Sequence, residues 1–460
     1  MWPFTSDADT LLSQAESSAD FDEQAIASLT EALHRNAEHA LIAELHRLKA
    51  EDISRYEAVA GLLRECERFC TLNHERRKNM FGYPGNLADR SYFADFFRRV
   101  ESLFVLSNNC GDIYSTSSDP GNHYAMDSKR MEWEIVRCVA DNLSLPPQPS
   151  LDDLTVGDKE NGYWGYVTSG GSESNSWGIT QGFQKYENGI FYFCRAAHYS
   201  VPKAAKCYES QMISQNSADD ESINVSELLD CIETQWKTNQ KPAILLLTAG
   251  TTRFGSIDDV AAIKAQLRQI GVPHYLHIDA ALYGGIPKHS DCAPLIGSVE
   301  DWGYDSISVS LHKYIGYPNV KSVLISVQRP TGERIEYVGQ VDNTVAGSRD
   351  IQPFSMLQQV RDTLVHSSKD DYIRNIKSFG QMLNDSGIKS VRSKNGNIFV
   401  FRVNKDSERY QAVCDRWQLS EFQDMNGGDR VHVIIFPHHS IQDMKNLVID
   451  LRELTRLESE

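Results

Sequence analysis

The chain has no hydrophobic run approaching the length of a membrane span, no Cys-x-x-Cys pair, no internal repeat and no low-complexity tract. The first absence argues against a transmembrane helix. The second matters because nine cysteines are present. Odd in number and scattered, they read as reduced thiols rather than a disulfide framework or a zinc site. Basic residues are in deficit: 46 Lys+Arg against 63 Asp+Glu give a formal net charge of -17. That balance argues against a surface built for nucleic acid or an anionic membrane. The amino terminus, Met1-Trp2-Pro3-Phe4-Thr5-Ser6-Asp7, leads into an acidic polar stretch without the apolar centre of a secretion signal. A soluble cytoplasmic protein holding no metal is expected.

With 460 residues, 41% of them hydrophobic, the chain is long enough for one large and one or two smaller domains. Residues 1–20 are polar. Ile26, Leu29, Leu33, Ala37, Leu41, Leu45 and Leu48 then recur at helical spacing, and a second helical stretch runs from Ile53 to Phe69. We read residues 1–82 as a helical N-terminal extension, closed by Gly82-Tyr83-Pro84-Gly85-Asn86. Residues 83–128 form the N-terminal segment of the core, 129–349 the large domain and 350–460 a smaller C-terminal α/β domain.

Within the large domain strands and helices alternate. Strands are expected at Trp164–Thr168, Gly189–Cys194, Ala243–Leu247, Tyr275–Ile278 and Asp305–Ser310, with helices at Lys129–Leu143, Glu173–Tyr186 and Val260–Gln269. The strands are apolar without alternation, as when both faces are buried, which predicts a mainly parallel sheet covered by helices. Gly332–Arg349 reads as a polar loop and Gln352–Leu383 as one long helix. Asn397–Val403 and Arg430–Ile435 read as strands and Ile441–Leu454 as a final helix.

Four segments near strand ends carry chemistry. Lys313, in Ser308-Val309-Ser310-Leu311-His312-Lys313-Tyr314, is a surface lysine at a strand end or a desolvated amine poised for a Schiff base. Ser169-Gly170-Gly171-Ser172-Glu173 is an anion cradle at a helix N-terminus or an ordinary turn with its cap. His198 is a capping or core histidine, or a flat ring for stacking on a ligand. Asp279, before Ala280-Ala281, is a helix cap or the partner of a protonated ring nitrogen. Together, at the carboxyl ends of strands where open α/β sheets bind ligands, they are the set that pyridoxal 5'-phosphate (PLP) requires.

The segments Trp164–Glu173, His198–Val201, Leu276–Ala281 and Ser308–Lys313 resemble motifs of the group II PLP-dependent amino-acid decarboxylases. The similarity is greatest to the branch of bacterial histidine decarboxylases and plant serine decarboxylases. Asn108–Asp112, Gly250-Thr251-Thr252 with Ile257-Asp258-Asp259, and Gly347-Ser348-Arg349 extend it. The resemblance implies the PLP-dependent transferase fold type I and a homodimer with shared active sites. It makes Lys313 the amine of the internal aldimine, His198 the ring stacker, and Asp279 the partner of the pyridine nitrogen. Ser169, Gly170, Gly171, Ser172, Ser310 and His312 would surround the phosphate. Ala281 would face the ring opposite His198, and Thr251 would lie near the cofactor's oxygen substituents. Tyr337 is the candidate proton donor to Cα, with His198 and Lys313 as competitors. Tyr83, Pro84 and Asn109 are candidates for the substrate wall.

The implied reaction is decarboxylation of an L-amino acid to its amine, with histidine, serine or another small polar amino acid as substrate. An aldehyde-forming oxidative decarboxylase or an aminotransferase of the same fold is the alternative. Asp350-Ile351-Gln352 stands where the family usually has Asn-Gly-His, Ser172-Glu173-Ser174-Asn175 where Thr-Glu-Gly-Asn is usual, and Tyr314–Pro318 is unusually aromatic. These departures bear on the substrate pocket.

Overall fold

A computed structural model of the chain describes residues 76–87, 111–114, 128–215, 220–290, 295–332, 334–336, 339–350, 353–424 and 426–455, with scattered positions between 43 and 68. The chain divides into two units, residues 1–77 and 78–460. In the first, the described positions from Ala43 to Arg68 are helical, and Arg47 pairs with Glu51 one turn on at 2.5 Å. The polar stretch 1–20 and most of the amphipathic run from Ile26 lie outside the described residues.

The second unit is built on a seven-stranded sheet. Its strands are β1 (Trp164–Thr168), β2 (Ile190–Cys194), β3 (Met212–Gln215), β4 (Ala243–Thr248), β5 (His274–Asp279), β6 (Ser306–Ser310) and β7 (Ser322–Ser326). The spatial order is β1-β7-β6-β5-β4-β2-β3. All strands share one direction except β7, which runs antiparallel to both neighbours. The helices are α1 (Lys129–Asn142), α2 (Val156–Asn161), α3 (Gly171–Lys185), α4 (Ser200–Ala205), α5 (Val225–Asn239), α6 (Val260–Ile270) and α7 (Val299–Trp302).

Alternate residues of β2, β4 and β5 enter different cores. Tyr192, Leu245, Leu247, Leu276, Ile278, Ile307 and Val309 belong to the larger one. Phe191, Phe193, Ile244, Leu246 and Tyr275 join Ile179 and Phe183 of α3 in another. The alternation puts His277 and Asp279 on the Tyr275 side of β5. There α3 comes very close: a Cβ on Gly178 would stand 2.4 Å from the His277 ring, and one on Gly182 2.4 Å from Ile244. The α3-covered face is thus apolar on β2 and β4 and turns polar on β5.

Beyond β7 lie the two-residue strands β8 (Arg334–Ile335) and β9 (Gln340–Val341). The expected single helix over 352–383 is two, α8 (Pro353–Leu364) and α9 (Asp371–Asp385). Ser368-Lys369-Asp370 breaks it, and the Asp371 side chain accepts from the Ser368 N–H at 3.0 Å. Met356, Val360 and Leu364 of α8 lie in the large core. A second core follows from β10 (Ile398–Arg402), β11 (Ser420–Gln423) and β12 (Asp429–Ile434) in an antiparallel sheet, with α9, α10 (Tyr410–Trp417) and α11 (Ile441–Leu454). Phe81 is part of it, accepting from the Ile434 N–H at 2.6 Å and stacking on His439. Among the described residues no helix is long and apolar enough to cross a membrane.

Candidate active site

Lys313 lies three residues past β6, in the hairpin that turns directly into β7. The turn is closed by Leu311 N–H to Lys321 O and Tyr317 N–H to Leu311 O, both 2.9 Å. Gly316 has φ +76°, and a Cβ there would stand 2.4 Å from the Asn86 carbonyl. That close approach lets the Asn86 N–H bind Lys313 O at 2.8 Å. The lysine backbone is therefore held by the segment carrying Tyr83 and Pro84. Tyr83 is 42% exposed. Burial pushes the Lys313 amine below its usual range, and the Asp279 charge opposes this. Among the described residues the amine makes no hydrogen bond.

Asp279 ends β5 and is buried. Its Oδ2 accepts from Asn175 Nδ2 at 2.8 Å and its Oδ1 from the Ala281 N–H at 3.1 Å. The Ala281 carbonyl accepts from the Ser310 N–H at 3.1 Å, tying the ends of β5 and β6 together. His198 follows β2. Burial lowers its pKa, Lys313 lowers it further and Asp279 opposes both, so the three side chains act on one another electrostatically. Its Nδ1 accepts from Ser200 N–H and lies 2.8 Å from Ser200 Oγ. The proton of the neutral ring is thereby left on Nε2.

The loop from β1 to α3 has Gly170 at φ +148°, and α3 begins at Gly171. A Cβ on Gly171 would lie 3.4 Å from Ser310 Oγ, and Ser310 Oγ is 3.1 Å from Ser322 Oγ. The cradle and the end of β6 are thus adjacent. Among the described residues the N–H groups of Gly171 and Ser172 have no acceptor, and Ser172 is exposed. Ser169 donates its N–H, at 2.9 Å, and its hydroxyl to Glu173, which also accepts from Tyr166 OH at 3.0 Å. His312 donates from Nδ1 to Lys321 O at 3.0 Å, and burial lowers its pKa.

Thr251, after β4, is buried, and its Oγ1 accepts from the Ser256 N–H at 3.0 Å. Asp258 fixes that loop, accepting from Thr248 N–H at 2.7 Å and Ile223 N–H at 2.6 Å. Burial pushes its carboxyl up to about 6. Asn109 and Tyr337 lie outside the described residues.

Three polar residues that sequence reasoning did not assign belong here: Asn175, His277 and Ser308. Their signal was positional. Tyr275, His277 and Asp279 alternate along a central strand, and Asn175 sits one turn into the helix above.

L-Methionine decarboxylase from Streptomyces sp. 590, in its internal aldimine form, superposes with a TM-score of 0.66 at 17% identity, covering 88% of this chain and 96% of that one. The fold is the PLP-dependent transferase fold type I. Residues 183–328 match the pyridoxal-dependent decarboxylase conserved domain. A histidine decarboxylase of Pseudomonas entomophila is 30% identical over 385 residues, 80% of this chain and 85% of that protein. Serine decarboxylase 2 of Oryza sativa subsp. japonica is 27% identical over 419 residues, 89% and 82% of the two chains. The chain belongs to the pyridoxal-dependent decarboxylase family, and it is a PLP-dependent carboxy-lyase acting on an amino acid. The residues present fit that cofactor: two unengaged amides at a helix N-terminus suit a phosphate, and a desolvated amine faces a buried carboxylate.

Proposed function

We propose that the substrate is L-histidine and that the reaction runs at Lys313, with His198 and Asp279 on either side of the cofactor's needs. The convergence of these three side chains supports the reaction site, and the 30%-identical histidine decarboxylase supports the substrate. Gly170, Gly171 and Ser172, with Ser169, Ser310 and His312, receive the phosphate. The two unengaged N–H groups and the α3 dipole supply its positive field. His198 and Ala281 take opposite faces of the ring, and Thr251 offers its hydroxyl hydrogen to the ring oxygen.

When bound, PLP supplies an electron sink for the pair left at Cα as CO2 departs. Lys313, its pKa lowered by burial against the pull of Asp279, presents its amine to the carbonyl. Asp279, which accepts from Asn175 Nδ2 and the Ala281 N–H, presents its carboxylate to the ring nitrogen's proton. His198 stays neutral and flat against the ring. Tyr337 holds the proton delivered to Cα, while Tyr83, Pro84 and Asn109 wall the substrate. The enzyme acts in the cytoplasm as a homodimer, with the Gly332–Arg349 loop serving the partner's site.

Purified protein supplied with PLP is expected to release CO2 from L-histidine and form the imidazole-bearing amine, identified by mass. Lys313→Ala should lose the visible absorbance of bound cofactor along with turnover. Faster turnover of L-serine would move the substrate to the second reading, which rests on the serine decarboxylase relative. Release from neither would overturn the substrate proposal. Mixed Lys313→Ala and Tyr337→Phe subunits, each inactive alone, should recover about a quarter of wild-type activity if sites are shared.

A further inference from the structure

Behind Asp279 the polar face of β5 and β6 is hydrogen-bonded in one direction. Asn175 Nδ2 donates to Asp279 Oδ2 at 2.8 Å. The same amide's Oδ1 meets Ser308 Oγ and His277 Nε2, each at 3.1 Å. An amide oxygen only accepts, so the serine hydroxyl and His277 Nε2–H are both donors to it. Nδ1 of His277 is then the acceptor for Ser306 Oγ at 2.7 Å. Ser306 Oγ in turn accepts from Tyr275 OH at 2.8 Å.

Every member of this file is buried. Reversing the Asn175 amide would turn its oxygen onto the Asp279 carboxylate, two acceptors with no hydrogen between them. The arrangement therefore has one stable sense. Burial pushes His277 down to about 4, against the pull of Asp279, so the ring stays neutral. Gly178 leaves no room for the ring to move toward α3.

We propose that Asn175 and His277 are positioning residues, a direction-locked amide clamp that holds Asp279 oriented and charged for the cofactor's ring nitrogen. A neutral donor suits this role because it stabilises the carboxylate without supplying a rival counter-charge. The proposal rests on the reading of Asp279 as the ring-nitrogen partner.

The test compares wild type with Asn175→Ala, His277→Ala, His277→Gln and Asp279→Asn. Each is titrated with PLP, and the ring-nitrogen NMR shift of isotope-labelled cofactor is read in the loaded protein. Asp279→Asn should lose the protonated-ring signal. Asn175→Ala should weaken PLP binding about 10- to 100-fold, the range seen when outer-shell partners of ligating groups are removed, and move the signal toward the deprotonated form. His277→Ala should do so less, and His277→Gln, whose N–H can reach Asn175 Oδ1, should recover part of the loss. If Asp279→Asn changes the signal while Asn175→Ala and His277→Ala keep the wild-type shift and affinity, the clamp is overturned. If Asp279→Asn leaves the signal unchanged, the Asp279 reading fails and the proposal with it. Should Asn175→Ala lack a cooperative thermal transition, the His277 variants decide on the same criteria.

Discussion

Arg349 shows what one residue can fasten. Its Nε and Nη2 meet the two Glu132 oxygens at 2.9 and 3.1 Å, and Nη1 reaches the Gly111 carbonyl at 3.2 Å. The side chains are 6% and 1% exposed, and the guanidinium lies over the Tyr166 ring. Glu132 also accepts from the Val167 N–H at 3.0 Å, on β1 just before the cradle. One ion pair thus ties the end of the polar loop to α1 and to the strand that leads into the proposed phosphate cradle. Halving a buried pair is costlier than removing it whole, because the survivor keeps its desolvation penalty. Arg349→Met should lower the unfolding free energy by about 3–5 kcal/mol in urea titrations, and adding Glu132→Gln should restore part of it.

Among the elements, α3 does most to build the site. It starts at the cradle, places Asn175 over Asp279, and presents two glycines where ordinary side chains would collide with the sheet. Gly178→Ala would set a methyl 2.4 Å from the His277 ring, so the ring or the helix must shift. Overpacking of this kind costs about 1–3 kcal/mol. The thermal midpoint should fall and PLP binding should weaken with it, whereas Gly271→Ala, just past α6 at φ +72°, meets no neighbour and should lower the midpoint by backbone strain alone, leaving PLP affinity unchanged.

The strands around this helix were legible because apolar runs such as Ala243–Leu247 have no polar alternation to confuse them. Lys313, Asp279 and His198 were legible because charge and imidazole at strand ends are conspicuous against such runs. Asn175 and His277 were not assigned, since an asparagine in a helix and a histidine within a strand acquire meaning only when α3 is laid on β5. Strands β3, β7, β8, β9 and β11 were missed, β3 and β11 for a related reason. Met212–Gln215 and Ser420–Gln423 lie at sheet edges and carry polar residues, so they lack the apolar signature of the interior.

The whole molecule carries opposing buried titrations. Burial pushes His432, like His277, down to about 4. An unfolded histidine protonates near ~6.5. Between those values the unfolded chain binds protons that the folded chain refuses, so each contribution to stability is intact above the window and lost as pH falls through it. Buried Asp258, pushed up to about 6, and Glu221, pushed up to about 7, run the other way. They favour the folded state as pH falls, which mutes the acid response of the wild type. The single-site difference should still be readable. His432→Gln should remove about 3 kcal/mol of the stability lost between pH 6.5 and 4, at ~1.36 kcal/mol per unit of pH, in urea titrations at the two ends.

The reversed strand also has a meaning in time. Among the described residues β1 lies at the sheet edge and pairs with β7 alone, so residues 164–168 wait for residues 322–326 before they can be paired. Parallel pairs β2–β4 and β4–β5 need nothing beyond Asp279. During synthesis the interior of the sheet can therefore assemble while its first strand is idle, and the anion cradle takes shape only after the lysine hairpin has turned back. The two ends of the proposed cofactor site are completed by the same late event.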